Sequence, residues 1–379
     1  MIQKILNYLI RWVPALFSLI VAFVSLFPAS LDRLEEDIAL QAKRISELEQ
    51  AYESESISPV DENSIYDGDL DAVLKSGVKF NEMSFIATHN SYQTTAIDEA
   101  KNIYRSLSDL TFGIYKAKKI GFESETLTDQ LECGLRSFEL DIETFDRDGD
   151  VSFTCMHSPY FEMSTSCYDF SLALKEISMW SDNNPDHLPI TIIIEPKRVF
   201  IPLENMEYFN LEYALALDEV LKEGLGEKLF TPADMLRDYE SFGEMRAADD
   251  WCKVRDMLGK VVVLLHDCGV TEDYIDIDES VKTQAMFPML RERDIDRDCT
   301  SFIICNNPGK LLEIKGEVID EKKIMVRTRA DEFGKINKKN LEDAFASGAN
   351  IISTDYPVRT DNKADDYIVD FGNRTTVSK

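Results

Sequence analysis

The stretch that most restricts the fold is 260–265, Lys-Val-Val-Val-Leu-Leu, a continuous apolar run behind a single lysine. Side chains of a strand alternate between two faces, so a strand apolar at every position has both faces covered and belongs inside a sheet flanked by helices. Residues 190–194, Ile-Thr-Ile-Ile-Ile, repeat the pattern with one threonine. Further β-rich runs at 83–87, 136–142, 151–156, 302–305, 324–329 and 351–354 bring the total to eight, with helical patterns at 168–181, 211–222, 251–258 and 338–346 between several of them. This alternation predicts an α/β fold, a closed TIM-type (β/α)8 barrel. The barrel is irregular after its second run, where only Asp146-Arg147-Asp148-Gly149-Asp150 precedes the third. That is too short for a helix, and Asp148-Gly149 reads as the tight turn of a hairpin.

A different organisation precedes the barrel. Residues 12–29 are apolar and uncharged, preceded by Lys4 and Arg11 and followed by Asp32, Arg33, Glu35, Glu36 and Asp37. Positive-before, acidic-after flanks predict an N-terminus held inside and an exported remainder, with 1–30 as a membrane anchor. Signal cleavage after Ala29 is the alternative, although Phe27 stands where a small residue is preferred. From 31 to 52, Leu31, Leu34, Ile38, Ile45 and Leu48 fall on a seven-residue repeat with Gln41 in one seam position. This is a short helical stalk, either self-associating or lying as one amphipathic helix on the barrel or membrane. The acidic stretch 53–69 reads as a linker, so 31–70 forms stalk and linker and 71–379 the barrel, with an insertion at about 200–250.

Composition excludes one class of partner. Seventy acidic against 41 basic residues give a formal charge of −29, which would repel nucleic acid. The seven cysteines form no zinc pattern, and Cys155 with Cys167 and Cys299 with Cys305 are candidate bridges in an exported domain.

A barrel of this kind works at the C-terminal ends of its strands, and polar residues collect there. His89 and Asn90 follow the first run, Glu139 and Asp141 lie on the second, His157 follows the third, and Glu195 and Lys197 close the fourth. Glu139 and Asp141 are two apart and share a face, where paired carboxylates repel unless a cation or proton lies between them. With Glu195 and the amide oxygen of Asn90 they form an all-oxygen set suited to Ca2+ rather than zinc. Asp355, just past the last strand, is expected beside His89, just past the first, because closure makes those strands neighbours. His187 and His266 read as ordinary surface or rim histidines.

The ordered set Thr88-His89-Asn90-Ser91-Tyr92, 134–141 (Gly-Leu-Arg-Ser-Phe-Glu-Leu-Asp), His157, Ile194-Glu195-Pro196-Lys197 and 353–357 (Ser-Thr-Asp-Tyr-Pro) resembles the calcium-dependent phosphatidylinositol-specific phospholipases C, nearest the secreted bacterial group. The resemblance spans about residues 80–360. It implies His89 and His157 as catalytic histidines, supported by Asp355, and Asn90, Glu139, Asp141 and Glu195 as calcium ligands. Lys197, Arg329 and Tyr356 would face the substrate phosphate or head group. The implied reaction cleaves phosphatidylinositol-type lipids to diacylglycerol and an inositol (cyclic) phosphate at a membrane surface. Whether His89 or a calcium-bound carboxylate is the base stays open. Two alternatives are a catalytically inactive lipid-binding barrel and a glycerophosphodiester phosphodiesterase, whose usual His-Arg-Gly opening is absent at His89-Asn90-Ser91.

Overall fold

The computed structural model describes residues 2–54, 56–94, 98, 100–103, 124–199, 201–331, 335–357 and 367–379. Its centre is a set of eight parallel strands: β1 (Met83–Thr88), β2 (Ser137–Arg147), β3 (Ile190–Pro196), β4 (Val261–His266), β5 (Phe287–Arg291), β6 (Phe302–Ile304), β7 (Met325–Arg329) and β8 (Ile351–Thr354). Hydrogen bonding runs in the order β1-β8-β7-β6-β5-β4-β3-β2, and the sheet curls until β1 lies against β2. The principal helices are α1 (Ile2–Glu53), α2 (Phe170–Asn183), α3 (Leu211–Leu225), α4 (Pro308–Lys315) and α5 (Lys338–Ser347). Each of α2 to α5 begins at an Asp or Asn whose side chain accepts an N–H of the first turn: Asp169, Asn210, Asn307 and Asn337. Helix α3 crosses from β3 to β4 and packs on α2.

Two expectations about the strands are corrected. The run at 151–156 is not a barrel strand: Asp150–Cys155 pairs antiparallel with the outer half of β2, from Ile142↔Cys155 to Arg147↔Asp150. Asp148 (φ 56°) and Gly149 (φ 92°) give the doubly left-handed turn that a two-residue hairpin requires. The missing eighth strand is β5, Phe-Pro-Met-Leu-Arg, concealed by Pro288 because a proline argues against a central strand. The helix expected over 251–258 is also absent. Only the single 3-10 turn Val254–Asp256 forms, and its buried Trp251, Val254 and Met257 recur every third residue, the period of that tighter helix.

No ladder joins β1 to β2. Low on the seam the C-terminal strand Thr376–Ser378 pairs antiparallel with β1, and Thr375 Oγ1 donates to the Gly134 carbonyl (2.6 Å). High on the seam, Ser91 N–H donates to the Glu139 carbonyl (2.9 Å) and Glu139 N–H donates to Ser91 Oγ (2.8 Å). These bonds satisfy backbone groups that an open edge would leave exposed.

Helix α1 is not a projecting stalk. It bends by 40° between Leu16–Leu26 and Pro28–Glu53, where Pro28 removes a backbone donor, and its C-terminal part lies along α2. Of the seven-residue repeat, Gln41 and Ile45 are buried and Leu34 and Leu48 half-buried, while Leu31 and Ile38 face outward and the polar Ser30 and Asp37 are buried in their place. The helix therefore lies on the barrel, following the repeat from Gln41 onward and departing from it before that. Cys155, Cys167, Cys299 and Cys305 stand as thiols, so neither candidate bridge forms.

Candidate active site

Strand periodicity places the acidic residues at the mouth of the barrel. Glu139 and Asp141 alternate inward on β2, and Asp141 stands in register with Glu195 on β3, so the two share a face across the ladder. Asn90 follows β1 in a left-handed conformation (φ 49°). One carboxylate oxygen each of Glu139, Asp141 and Glu195 lies within 4.8 Å of the others.

Cations already crowd this set. Lys197 Nζ lies 2.9 Å from Asp141 Oδ2 and 3.1 Å from Glu195 Oε1. The buried Arg327 guanidinium pairs with Glu139 Oε2, and Arg329 approaches Glu139 Oε1 at 3.7 Å. Tyr92 donates to Asp141 Oδ2 at 2.8 Å. Even so, Asn90 Oδ1, Glu139 Oε1 and Asp141 Oδ1 are buried acceptors that receive no hydrogen bond from the described residues. Buried oxygens are rarely left so, and the two on the clustered carboxylates of Glu139 and Asp141 fit a hard cation that coordinates oxygen.

Electrostatics divide the carboxylates. Burial alone would raise Glu139, but the guanidinium of Arg327, aided by His89 and Arg329, holds it below the ordinary carboxylate range. Burial raises Asp141 to about 6: Lys197 opposes the shift, while Glu195 and Glu139 reinforce it. Glu195 is lowered because Lys197 and His266 outweigh its burial. Lys197 is raised, since Asp141 and Glu195 outweigh the burial that would lower it.

Beside this cluster, His89 Nδ1 lies 2.7 Å from Asp355 Oδ1, so the neighbours expected from closure are in contact. The other ring nitrogen, Nε2, lies 3.6 Å from Glu139 Oε1. Asp355 is fixed in turn through its own backbone, whose N–H donates to Asp331 Oδ1 (2.7 Å), while Thr354 Oγ1 donates to Asp331 Oδ2 (2.6 Å). His157 lies on the loop after the hairpin strand, with Nδ1 3.1 Å from Glu162 Oε2. Tyr356 is buried, its ring edge-on to Tyr367 at 5.3 Å.

Thus Glu139, Asp141, Glu195, Lys197, Arg329, His89 and Asp355 form one connected cluster, Asn90 follows His89 at the end of β1, His157 stands on its own loop, and Tyr356 is packed inside. Sequence reasoning missed Arg327 and Asp331, and it set His266 aside as a surface or rim histidine. Arg327 and Arg329 are two apart on a buried strand, the same spacing as Glu139 and Asp141, and that match was the available signal. Burial raises Asp331 to about 6, and no motif marked it. His266 ends β4 with its ring buried, near enough for Glu195 and Glu139 to offset part of the lowering that burial causes. His187 is neither surface nor rim: it is buried before β3, bonded to Ser181 Oγ (2.8 Å) and the Leu188 carbonyl (2.6 Å).

A family profile described as phosphoinositide phospholipase C, Ca2+-dependent, matches residues 150–379, which include His157, Glu195, Lys197, Arg329, Asp355 and Tyr356. No curated protein matches the chain. Among solved structures, a calcium-dependent phosphoinositol-specific phospholipase C from the Gram-negative bacterium Pseudomonas sp, apo form, is similar at 16% identity and TM-score 0.57, covering 84% of this chain and 100% of that one. The same enzyme's myoinositol complex gives 17% identity and TM-score 0.55, covering 83% and 99%. A Ca2+-dependent phosphatidylinositol-specific phospholipase C from Streptomyces antibioticus gives 17% and 0.52, covering 73% and 95%. At these identities the structural likeness establishes the shared barrel.

Proposed function

The chain belongs to the Ca2+-dependent phosphoinositide phospholipase C family, and we propose that its barrel mouth cleaves phosphatidylinositol-type lipids through His89, His157 and the cluster around Glu139. The observation that carries this reading is the Asp355–His89 pair, whose other ring nitrogen, Nε2, faces a carboxylate cluster with buried oxygens that accept no hydrogen bond from the described residues. Asn90, Glu139, Asp141 and Glu195 would hold calcium, which when bound would supply Lewis acidity to the reacting phosphodiester.

The protein's own groups do the rest. Asp355 accepts the Nδ1 proton of His89, which fixes the tautomer and leaves Nε2 toward the mouth to take a proton or to stabilise charge on the phosphoryl group. Arg329 and Lys197 bring positive charge to the phosphate side of the cluster. His157, backed by Glu162, is the group that protonates the departing diacylglycerol oxygen. The test is incubation of purified protein with phosphatidylinositol, with and without calcium. Calcium-dependent release of inositol cyclic phosphate is the expected product; undiminished turnover in excess chelator refutes the role given to the acidic set.

We also propose that the barrel is exported and held at a membrane by the N-terminal segment, from the sorted charges around 12–29. No single described helix is long and apolar enough to cross a membrane, although the bent pair Leu16–Leu26 and Pro28–Glu53 passes by length and composition. Fractionation of cells expressing the full chain tests this: barrel released into the medium, beginning near Ser30, would show cleavage instead.

A further inference from the structure

Helix α1 meets the protein differently on the two sides of its bend. After the bend the contact is largely polar: Ser30, Asp37 and Gln41 are buried and Arg33 and Arg44 half-buried, at the three- and four-residue spacing of one helical face, and every one of them bonds to the protein beneath, with Ile45 buried beside them. Ser30 Oγ donates to the Tyr160 carbonyl (2.7 Å), and Thr165 N–H donates to Asp37 Oδ2 (2.9 Å). Arg33 joins Asp37 Oδ1 at 2.7 Å and reaches Thr94 Oγ1 at 3.2 Å. Gln41 exchanges two bonds with the backbone of Asp169 (2.8 and 2.9 Å), and Arg44 donates to the Ser166 carbonyl (2.6 Å).

Before the bend the exposed face is apolar. Val13, Phe17, Ile20 and Val24 are all exposed, Phe17 by 67% and Val24 by 74%, and no charged residue occurs between Trp12 and Leu31. An apolar helical face of this extent is not left to water, and for an enzyme of lipids the apolar medium that covers it is the bilayer.

The segment gripped by the polar stripe, 160–169, continues from the loop that carries His157 and Glu162. Tyr160 is held left-handed (φ 66°), a conformation costly for an aromatic residue, and Ser30 binds its carbonyl. Ala22 and Leu26 of α1 pack with Tyr160 and Phe161 on the same loop. We infer that α1 is a bridge: its apolar part before the bend seats on the lipid surface while the polar stripe after the bend positions the loop bearing His157, so that the leaving-group acid is aligned where the substrate lies. Ser30 and Asp37 are positioning residues; neither touches substrate. The inference rests on the phospholipase reading, with His157 delivering its proton to the departing oxygen.

Leaving-group chemistry separates positioning from general damage. An alkoxide such as diacylglycerol needs the proton, whereas 4-nitrophenolate leaves without it. The full chain carrying Ser30→Ala with Asp37→Ala is expected to lose about tenfold or more in kcat on phosphatidylinositol in vesicles, yet under about threefold on a 4-nitrophenyl inositol phosphodiester. Asp37→Asn, which keeps an oxygen for Thr165 N–H, recovers most of the loss. Phe17→Glu with Val24→Glu is expected to abolish co-sedimentation with phosphatidylinositol/phosphatidylcholine vesicles. Equal losses on both substrates, no loss on either, or unchanged co-sedimentation overturns the bridge. A wild-type chain inactive on both substrates would instead defeat the phospholipase reading itself.

Discussion

Replacing Arg327 by methionine tests the electrostatics of the mouth most directly. Arg327 is buried, and its guanidinium is shared by Glu139, the Asn306 side-chain oxygen and Ser353 Oγ. Removing it strands the Glu139 carboxylate in a site where burial otherwise raises it. Breaking a buried pair from one side costs about 3–5 kcal/mol, and at about 2–4 °C per kcal/mol the midpoint should fall by roughly 10 °C in chelator. The pH dependence follows from the sign of the shift. In the wild type Glu139 is lowered, so its contribution is present above the unfolded carboxylate value and lost as pH falls through the folded one. In the variant burial dominates, the shift reverses, and stability is lost as pH rises above the unfolded value. The gap between the two proteins therefore widens from acid toward neutrality. Saturating calcium narrows it, because the ion neutralises the stranded carboxylate and binds only the folded state. Thermal melts from pH 4 to 8, with calcium and with chelator, measure both effects. A gap independent of pH and calcium would show that Arg327 acts by packing alone, and the account of Glu139 would fall.

Asp355→Asn should fold and bind calcium normally while losing about 10²–10⁴-fold in kcat, because an amide no longer enforces the His89 tautomer; equal turnover in mutant and wild type counts against the pairing. Asp141→Asn and Glu195→Gln should each weaken calcium binding by titration calorimetry, and unchanged affinity in both would remove them from the ligand set. Away from the mouth, burial raises Asp218 to about 6 although it accepts from Tyr274 and Ala285. Its contribution to stability is therefore present below the unfolded value and lost as pH rises through 6. Relative to Asp218→Asn, the wild type should lose up to about 3 kcal/mol between pH 4 and 7 in denaturant titrations, and parallel curves would refute the shift.

The mouth was legible because barrel chemistry sits at strand ends, and the strands carrying Glu139, Glu195 and His89 are marked by apolar runs that break into polar residues. Arg327 escaped because a cation inside a strand looks like a defect until the acid opposite it is known. Strand β5 escaped through Pro288, whose local penalty the closed barrel overrides. The docking face of α1 before Gln41 escaped for a more general reason. Hydrophobic periodicity locates a core-facing stripe only when the partner surface is apolar, and here part of the partner is loop backbone, which hydrogen-bonds to Ser30 and Asp37 while Leu31 and Ile38 stay outside.

The tail strand in the β1–β2 seam has a consequence for the order of assembly. Strand β1 is made early in synthesis, but its second edge is completed by Thr376–Ser378, and Tyr66 bonds Ser378 across a separation of 312 residues. Contacts so distant in sequence form late and slowly. His89 extends from the end of β1, and its partner Asp355 lies 266 residues further along the chain. Until both distant segments arrive, the histidine lacks its carboxylate and the strand lacks its neighbour, so the barrel mouth is among the last parts of the fold to be completed.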